Sequence, residues 1–324
     1  MSVNKEHTNS TLNIQVDQIN SFLGAEVTGL SLSKGLDKLE TEIIENSLAE
    51  FGVLVFRNQP MTGKQLMLLG EKFGQLSVHP FSPNDANNPA LILFKNDEKT
   101  PPWKTDVWHS DETFREVPPF ATMLHALDVP EFGGDTVFAS MTAVFEGLSD
   151  KMQNFLSGLE AYHDFNVFKD TFPKTVEGRE RLQKFEREYP PALHPVVARH
   201  PITGKKLLFV NSQFTVNIKG MDDIESQKLL HQLFDLAKVP EYQYRHHWKN
   251  NTLVIWDNRS TQHYAVHDYF PKKRYMQRVT IAGKTAPKNA FANAGIENIR
   301  NRKTGIPADL LTLHGGHAPK SLTR

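Results

Sequence analysis

Residues 107–114 read VWHSDETF, and residues 255–281 read IWDNRSTQHYAVHDYFPKKRYMQRVTI. In an extended strand, side chains at i and i+2 share a face. His109 and Asp111 then offer an imidazole and a carboxylate to one point in space. A third ligand has to come from elsewhere. His263, after the strand-like Leu253–Trp256 and the turn Asp257-Asn258-Arg259, is the candidate. Two histidines and one carboxylate leave three positions of a divalent metal open, the pattern of non-haem Fe(II) oxygenases. The spacing alone also fits a partly buried histidine beside a surface aspartate, and fourteen histidines give chance many openings.

Beyond His263 come Arg274 and Arg278, four apart and on one face if the segment is a strand. A planar guanidinium holds a carboxylate through two parallel hydrogen bonds, so an inward arginine beside a metal suits an anionic co-substrate. The alternative is a solvated basic run, Lys272-Lys273-Arg274. Asp257 either orients a ligand or holds its own turn. His246 and His247 adjoin in a β-type run and face opposite sides, so they do not read as paired ligands. His267 reads as a surface residue near a pocket rim. His314-Gly315-Gly316-His317 has two glycines inside a helical spacing and reads as flexible tail.

The chain has 324 residues, enough to bury a large core without disulfides. It contains no cysteine, which excludes a disulfide framework and a thiolate metal site. Thirty-seven basic residues balance 37 acidic ones, so no net field points to nucleic acid or to an anionic membrane. No apolar run approaches the roughly 20 residues of a membrane span, and Met1–Leu12 lacks a signal-peptide core. The expected setting is the cytoplasm, with a small anionic organic molecule as partner. A homo-oligomer is compatible with the sequence.

Met1–Leu12 reads as a mobile tail, residues 13–284 as the catalytic domain and 285–324 as an irregular extension rich in Asn, Gly, Pro and Lys. Leu36, Leu39, Ile43, Ile44, Leu48 and Phe51 recur at helical steps, Thr62–Phe73 predicts a second helix and Glu225–Lys238 a third. Short β-type runs fall at 53–56, 91–94, 121–126, 136–139, 207–210, 244–248, 253–256 and 279–282, separated by Pro, Gly and Asn turns. The polar stretch 164–195, marked by Pro173, Pro190 and Pro191, predicts a lid-like insertion. Many short strands with outer helices predict a barrel or jelly roll.

VWHSDETF, GGDT (133–136), LHPVVARHPITGKKLLFVN (193–211) and the 255–281 stretch together resemble the taurine dioxygenase and alkylsulfatase family of Fe(II)- and 2-oxoglutarate-dependent dioxygenases. Weaker similarity runs from Leu12 to Phe81 and includes FGQLSVHP (73–80). The resemblance reaches about Gly283. It implies a mainly β fold with flanking helices, a double-stranded β-helix, and the cofactors Fe(II), 2-oxoglutarate and O2. It implies His109, Asp111 and His263 as metal ligands. Thr136 and Arg274 match the residues holding the distal carboxylate of 2-oxoglutarate, and Arg278 matches an arginine near both co-substrate and substrate anion. His79 matches a histidine on the substrate sulfonate, and Phe214 an aromatic near the substrate.

The implied reaction hydroxylates the carbon next to a sulfonate or sulfate ester. An aldehyde then leaves with sulfite or sulfate, alongside succinate and CO2. Two positions depart from the taurine pattern. Ser82 stands where a tyrosine is usual, and Thr105, after Trp103-Lys104, where an asparagine is. Both serve the amine end of taurine, so a substrate without an amine is expected. The alternatives are the same chemistry on a carboxylate such as an aryloxyacetate, a zinc hydrolase with the same triad, and a non-catalytic binding protein on the same fold.

Overall fold

The computed structural model describes residues 13–82, 84–102 and 105–291. Its larger sheet has eight strands: β1 (Gln15–Gln18), β2 (Ala25–Thr28), β3 (Val53–Phe56), β4 (Leu76–Ser77), β5 (Ile92–Asn96), β6 (Ala121–Asp128), β14 (Leu253–Asp257) and β16 (Arg274–Ile281). The order is β1-β2-β3-β14-β6-β16-β4, with β5 also on β16. β2 and β3 run parallel, and the other pairs are antiparallel.

A facing three-stranded sheet joins β13 (Gln243–His246), β7 (Thr136–Ser140) and β15 (Thr261–Ala265). Two further three-stranded sheets extend it: β12 (Thr215–Ile218), β8 (Glu160–His163) and β9 (Ala192–Pro195), then β11 (Lys206–Leu208), β10 (Val197–Arg199) and β17 (Lys288–Asn289). Seven α-helices surround the sheets among the described residues: α1 (Lys38–Phe51), α2 (Gly63–Glu71), α3 (Met141–Glu146), α4 (Asp150–Leu156), α5 (Asn166–Lys169), α6 (Val176–Glu188) and α7 (Asp223–Asp235). The architecture is the mainly β jelly roll with flanking helices that the strand pattern predicts.

The apolar pattern explains the layering. Val53, Leu54, Val55 and Phe56 are all fully buried, because β3 is covered on both faces. On the outer face, α1 and α2 pack Ile44, Leu48, Leu66 and Leu69 against Leu54, Phe56, Met123 and Ile255. Each such side chain contributes about 1.5–3 kcal/mol by leaving water. On the inner face, Phe138, Trp248 and Trp256 meet Val55, Leu124 and Met276 between the two sheets. Reciprocal capping boxes start α1 (Asp37 with Glu40) and α2 (Thr62 with Gln65).

Two expectations shift. The last strand covers Arg274–Ile281 rather than 279–282, because its first half carries polar side chains that point inward; Arg274 and Gln277 are buried. The third helix spans Asp223–Asp235 from an Asp222 cap, and Leu236–Lys238 tightens into a 3-10 turn. In the 164–195 stretch the helices end at Glu188, and Ala192–Pro195 is strand. The 285–324 stretch begins with β17; its remainder from 292, with His314 and His317, and the tail 1–12 lie outside the described residues.

Candidate metal centre

His109 and His263 face each other across a β-bridge. The His109 N–H donates to the His263 carbonyl at 3.1 Å, and the His263 N–H returns the bond at 2.8 Å. Opposed residues in an antiparallel ladder place their side chains side by side on one face. The two imidazole centroids lie 4.1 Å apart.

The expected strand over His109–Asp111 is a correction: it shrinks to this single bridge. The chain turns away at Asp111, and Glu112 takes a left-handed φ of 49°. Asp111 is aimed instead by its neighbours. Its N–H donates to Asn258 Oδ1 at 3.3 Å, and Thr122 Oγ1 donates to its Oδ2 at 2.6 Å. Asn258 Nδ2 in turn donates to Thr122 Oγ1 at 2.9 Å, and Trp256 Nε1 to Asn258 Oδ1 at 2.9 Å. Asp111 Oδ1 is left facing His109 Nε2 at 3.8 Å and His263 Nε2 at 3.9 Å.

All three residues are buried, and one donor atom from each lies within 4.8 Å of the other two. Donors bound about 2.1 Å from one ion at right angles lie about 3 Å apart, so the widest gap has to close by no more than about 2 Å to complete the set. His109 Nδ1 donates to the Val107 carbonyl at 2.7 Å, which leaves the Nε2 lone pair for a metal. Burial alone would raise the Asp111 carboxyl; the Arg278 guanidinium beside it, with the Thr122 hydrogen bond, overcomes this and holds the group well below the usual carboxylate range. Burial likewise pushes His109 and His263 down, so both imidazoles are neutral and able to ligate.

Arg274 is buried at the start of β16. Its Nε donates to the Gly134 carbonyl at 3.1 Å, and its Cζ lies 5.9 Å from the Trp248 ring and 5.6 Å from the Tyr269 ring. Among the described residues it forms no ion pair with a carboxylate. Thr136 Oγ1 accepts from Trp248 Nε1 at 3.0 Å, which leaves the hydroxyl proton to donate. Gly134 has φ 73°, and a Cβ there would meet Arg274 Cδ at 2.9 Å. The second glycine of GGDT therefore makes room for the arginine.

Arg278 Nη2 lies 3.1 Å from Asp111 Oδ1 but off hydrogen-bond geometry, so this buried donor remains unsatisfied. Arg278 is also the strongest charge acting on His79. Burial, then Arg278, lower His79 to about 3. The Phe81 N–H donates to His79 Nδ1 at 3.1 Å, so the ring proton sits on Nε2. The His79 ring meets Phe168 edge-on at 5.7 Å, and Phe214 meets His109 at 6.5 Å.

Ser82 is half-buried, with no side-chain bond to the site among the described residues. Thr105 lies 3.2 Å from His267 Nε2, so His267 is a half-buried neighbour of this segment rather than a plain surface residue. Lys104 lies outside the described residues. Asp257 holds its own turn, bound to Arg259 and to His200 Nε2 at 3.0 Å. His246 is fully buried and His247 exposed, as alternation requires. Thr122, Asn258 and Trp248 are the participants that sequence reasoning missed. Asn258 was in view inside the DNR turn, whereas Thr122 sits in an apolar strand with no local signal.

Residues 15–280 match the family described as Taurine catabolism dioxygenase TauD, TfdA family. An alkylsulfatase of Acinetobacter baylyi is 33% identical over 307 residues, covering 93% of this chain and 93% of that protein. An alpha-ketoglutarate-dependent sulfonate dioxygenase of Saccharomyces cerevisiae is 33% identical over 284 residues, covering 82% of this chain and 66% of that one. The crystal structure of a taurine dioxygenase from Burkholderia xenovorans superposes with a TM-score of 0.72 at 30% identity, covering 85% of this chain and 91% of the other. The family match over residues 15–280, the 33% identity to an alkylsulfatase over nearly the whole of both chains and the shared fold make the chain a member of the TauD/TfdA family of dioxygenases.

Proposed function

We propose that this enzyme uses Fe(II), 2-oxoglutarate and O2 to hydroxylate the carbon bearing a sulfonate or sulfate ester, working in the cytoplasm on a small organic anion. His109, Asp111 and His263 hold the metal. Thr136 and Arg274 hold the distal carboxylate of 2-oxoglutarate, and Arg278 serves both co-substrate and substrate. Fe(II) with bound 2-oxoglutarate supplies the coupling of O2 reduction to oxidative decarboxylation, which yields succinate and CO2 and oxidises a C–H bond. The chain's own task is placement.

The observation that carries this reading is Arg278. Its unsatisfied, buried Nη2 stands beside Asp111 and acts on a His79 that is neutral with its proton on Nε2. A cation and a fixed N–H donor next to the triad form a seat for an oxyanion. Once the adjacent carbon carries a hydroxyl, loss of its proton forms the aldehyde C=O as the C–S bond of a sulfonate, or the C–O bond of a sulfate ester, breaks. The surrounding side chains are Phe81, Phe168 and Phe214. Glu112 is paired with Arg115 through Oε2, while its buried Oε1 has no hydrogen-bond partner among the described residues. An ammonium buried there without a partner would cost several kcal/mol.

Substrate-stimulated succinate release tests the proposal, with taurine, a simple alkylsulfonate, an alkyl sulfate and an aryloxyacetate compared side by side. An amine-free sulfonate or sulfate should give the highest kcat/KM. Taurine best by about tenfold, or 1.4 kcal/mol, would show that other residues bind the amine. The aryloxyacetate best by that margin would move the substrate class to carboxylates.

A further inference from the structure

Glu112 follows Asp111 directly, and its backbone is left-handed, a conformation that costs a non-glycine residue about 1–3 kcal/mol and persists only where its surroundings impose it. The turn drives the side chain inward until 1% of the residue is exposed. Arg115 answers the carboxylate: its Nε lies 2.7 Å from Glu112 Oε2, and its N–H closes the turn on the Glu112 carbonyl at 3.0 Å.

The same guanidinium reaches two further elements. Nη2 donates to the carbonyl of Val78, the residue before His79, at 3.0 Å. Its Cζ stands 5.2 Å from the ring of Tyr189, which ends α6, and 5.8 Å from Phe114. Tyr189 and Phe81 pack in one aromatic cluster with Phe165 and Phe185. From the far side, the ring of His194 on β9 holds the Arg115 carbonyl at 3.0 Å.

We propose that Arg115 is a positioning residue. Held by buried Glu112, it ties the backbone of His79 and the end of the 164–189 helical stretch to the loop of Asp111, and so fixes where the substrate anion sits relative to the metal. This rests on reading His79 as an anion donor. With Glu112 buried and Arg115 half-buried, the ion pair is by itself weak evidence for a stability role. Its planar fork does what an apolar pair cannot: it bonds two segments at once while lying against a ring. Lysine, a point charge on a flexible stem, lacks that fixed fork.

Arg115→Met and Arg115→Lys test the proposal in the metal-loaded, full-length enzyme. Misplacing a reacting carbon by about 1 Å costs on the order of a hundredfold, so Arg115→Met should lower product formed per succinate released by about tenfold or more. Its substrate KM should rise, while the KM for 2-oxoglutarate and the metal content stay near wild type. Arg115→Lys should recover only part of the coupling. A second readout needs no substrate: amide exchange should quicken together over 77–81 and 176–189 in both variants, with β6 and β14 unchanged.

Wild-type coupling in Arg115→Met overturns the proposal. So does a loss that falls equally on 2-oxoglutarate KM and metal content. If Arg115→Met fails to fold, Arg115→Lys carries the same two readouts, and wild-type coupling with unchanged exchange in it overturns the proposal. If no sulfonate or sulfate stimulates the wild type, the substrate reading has failed. The exchange experiment alone then decides: joint loosening supports Arg115 as the tie, and its absence refutes it.

Discussion

Thr122 Oγ1 donates a 2.6 Å hydrogen bond to Oδ2 of Asp111, and this bond selects which carboxylate oxygen faces the histidines. Thr122 is fully buried in β6. Removing a bond that orients a metal ligand typically costs 10–100-fold in metal affinity. Thr122→Val keeps the volume and deletes this bond together with the one from Asn258 Nδ2, at a stability cost of about 1–3 kcal/mol for the unpaired amide. It should weaken Fe(II) or Co(II) binding by about that factor, measured by metal titration, with little change in fold.

The ligands themselves should show a steeper effect. His109→Ala, Asp111→Ala and His263→Ala each remove one of three protein donors. Each purified variant should carry little metal and release no succinate above background. Near-normal succinate from any one would remove that residue from the metal set.

Arg274→Ala tests the co-substrate seat. A charge-assisted, buried contact contributes about 1.5–3 kcal/mol, so the KM for 2-oxoglutarate should rise by about ten- to a hundredfold. The variant should keep its fold while losing the Nε bond to the Gly134 carbonyl and the packing against Trp248 and Tyr269. An unchanged KM would mean that the guanidinium does not meet the co-substrate.

Gly134→Ala should mimic that loss from the opposite wall. Its positive φ strains any side chain, and the new Cβ would press on Arg274 Cδ and Tyr269. A destabilisation of about 1–3 kcal/mol is expected in denaturant unfolding, with weaker 2-oxoglutarate binding. If co-substrate binding is untouched, the arginine has another way to sit.

His79 gives a pH prediction with a definite sign. Its folded value, about 3, lies below the ordinary 6.5, so folding favours the neutral ring. The stability it contributes is present above 6.5 and is lost as pH falls from there toward 3. Between pH 6 and 8, substrate KM should therefore show no step from this histidine. A protonation step in KM near pH 6.5 that disappears in His79→Asn would show the ring titrating normally.

Much of this was legible in the sequence because two periodicities and two long motifs are local properties. Val53–Phe56 announced a doubly covered strand, and the His-X-Asp and GGDT stretches announced the residues proposed to hold the metal and the co-substrate. The first half of the last strand was illegible because Arg274, Gln277 and Arg278 break the apolar run that strand reading depends on. Thr122 and Trp248 could not be singled out because their roles arise only when distant strands align. The His109–Asp111 pair was read correctly as convergent but for the wrong local reason: a turn and two hydrogen-bond partners, not alternation, aim the carboxylate.

The bridge between His109 and His263 also has a consequence for assembly. Its neighbouring bond, Ser110 Oγ to the Thr261 carbonyl, joins residues 151 positions apart. The three donors do not exist as a set until the barrel has closed across that span. The unfolded chain can offer at most the neighbouring His109 and Asp111, without the third donor. An ion held by the proposed triad would be selective for the finished barrel, and at 100 times its dissociation constant would hold that barrel closed by about 2.7 kcal/mol. A chelator should accordingly lower the melting temperature, so that the centre acts as a clasp on the fold.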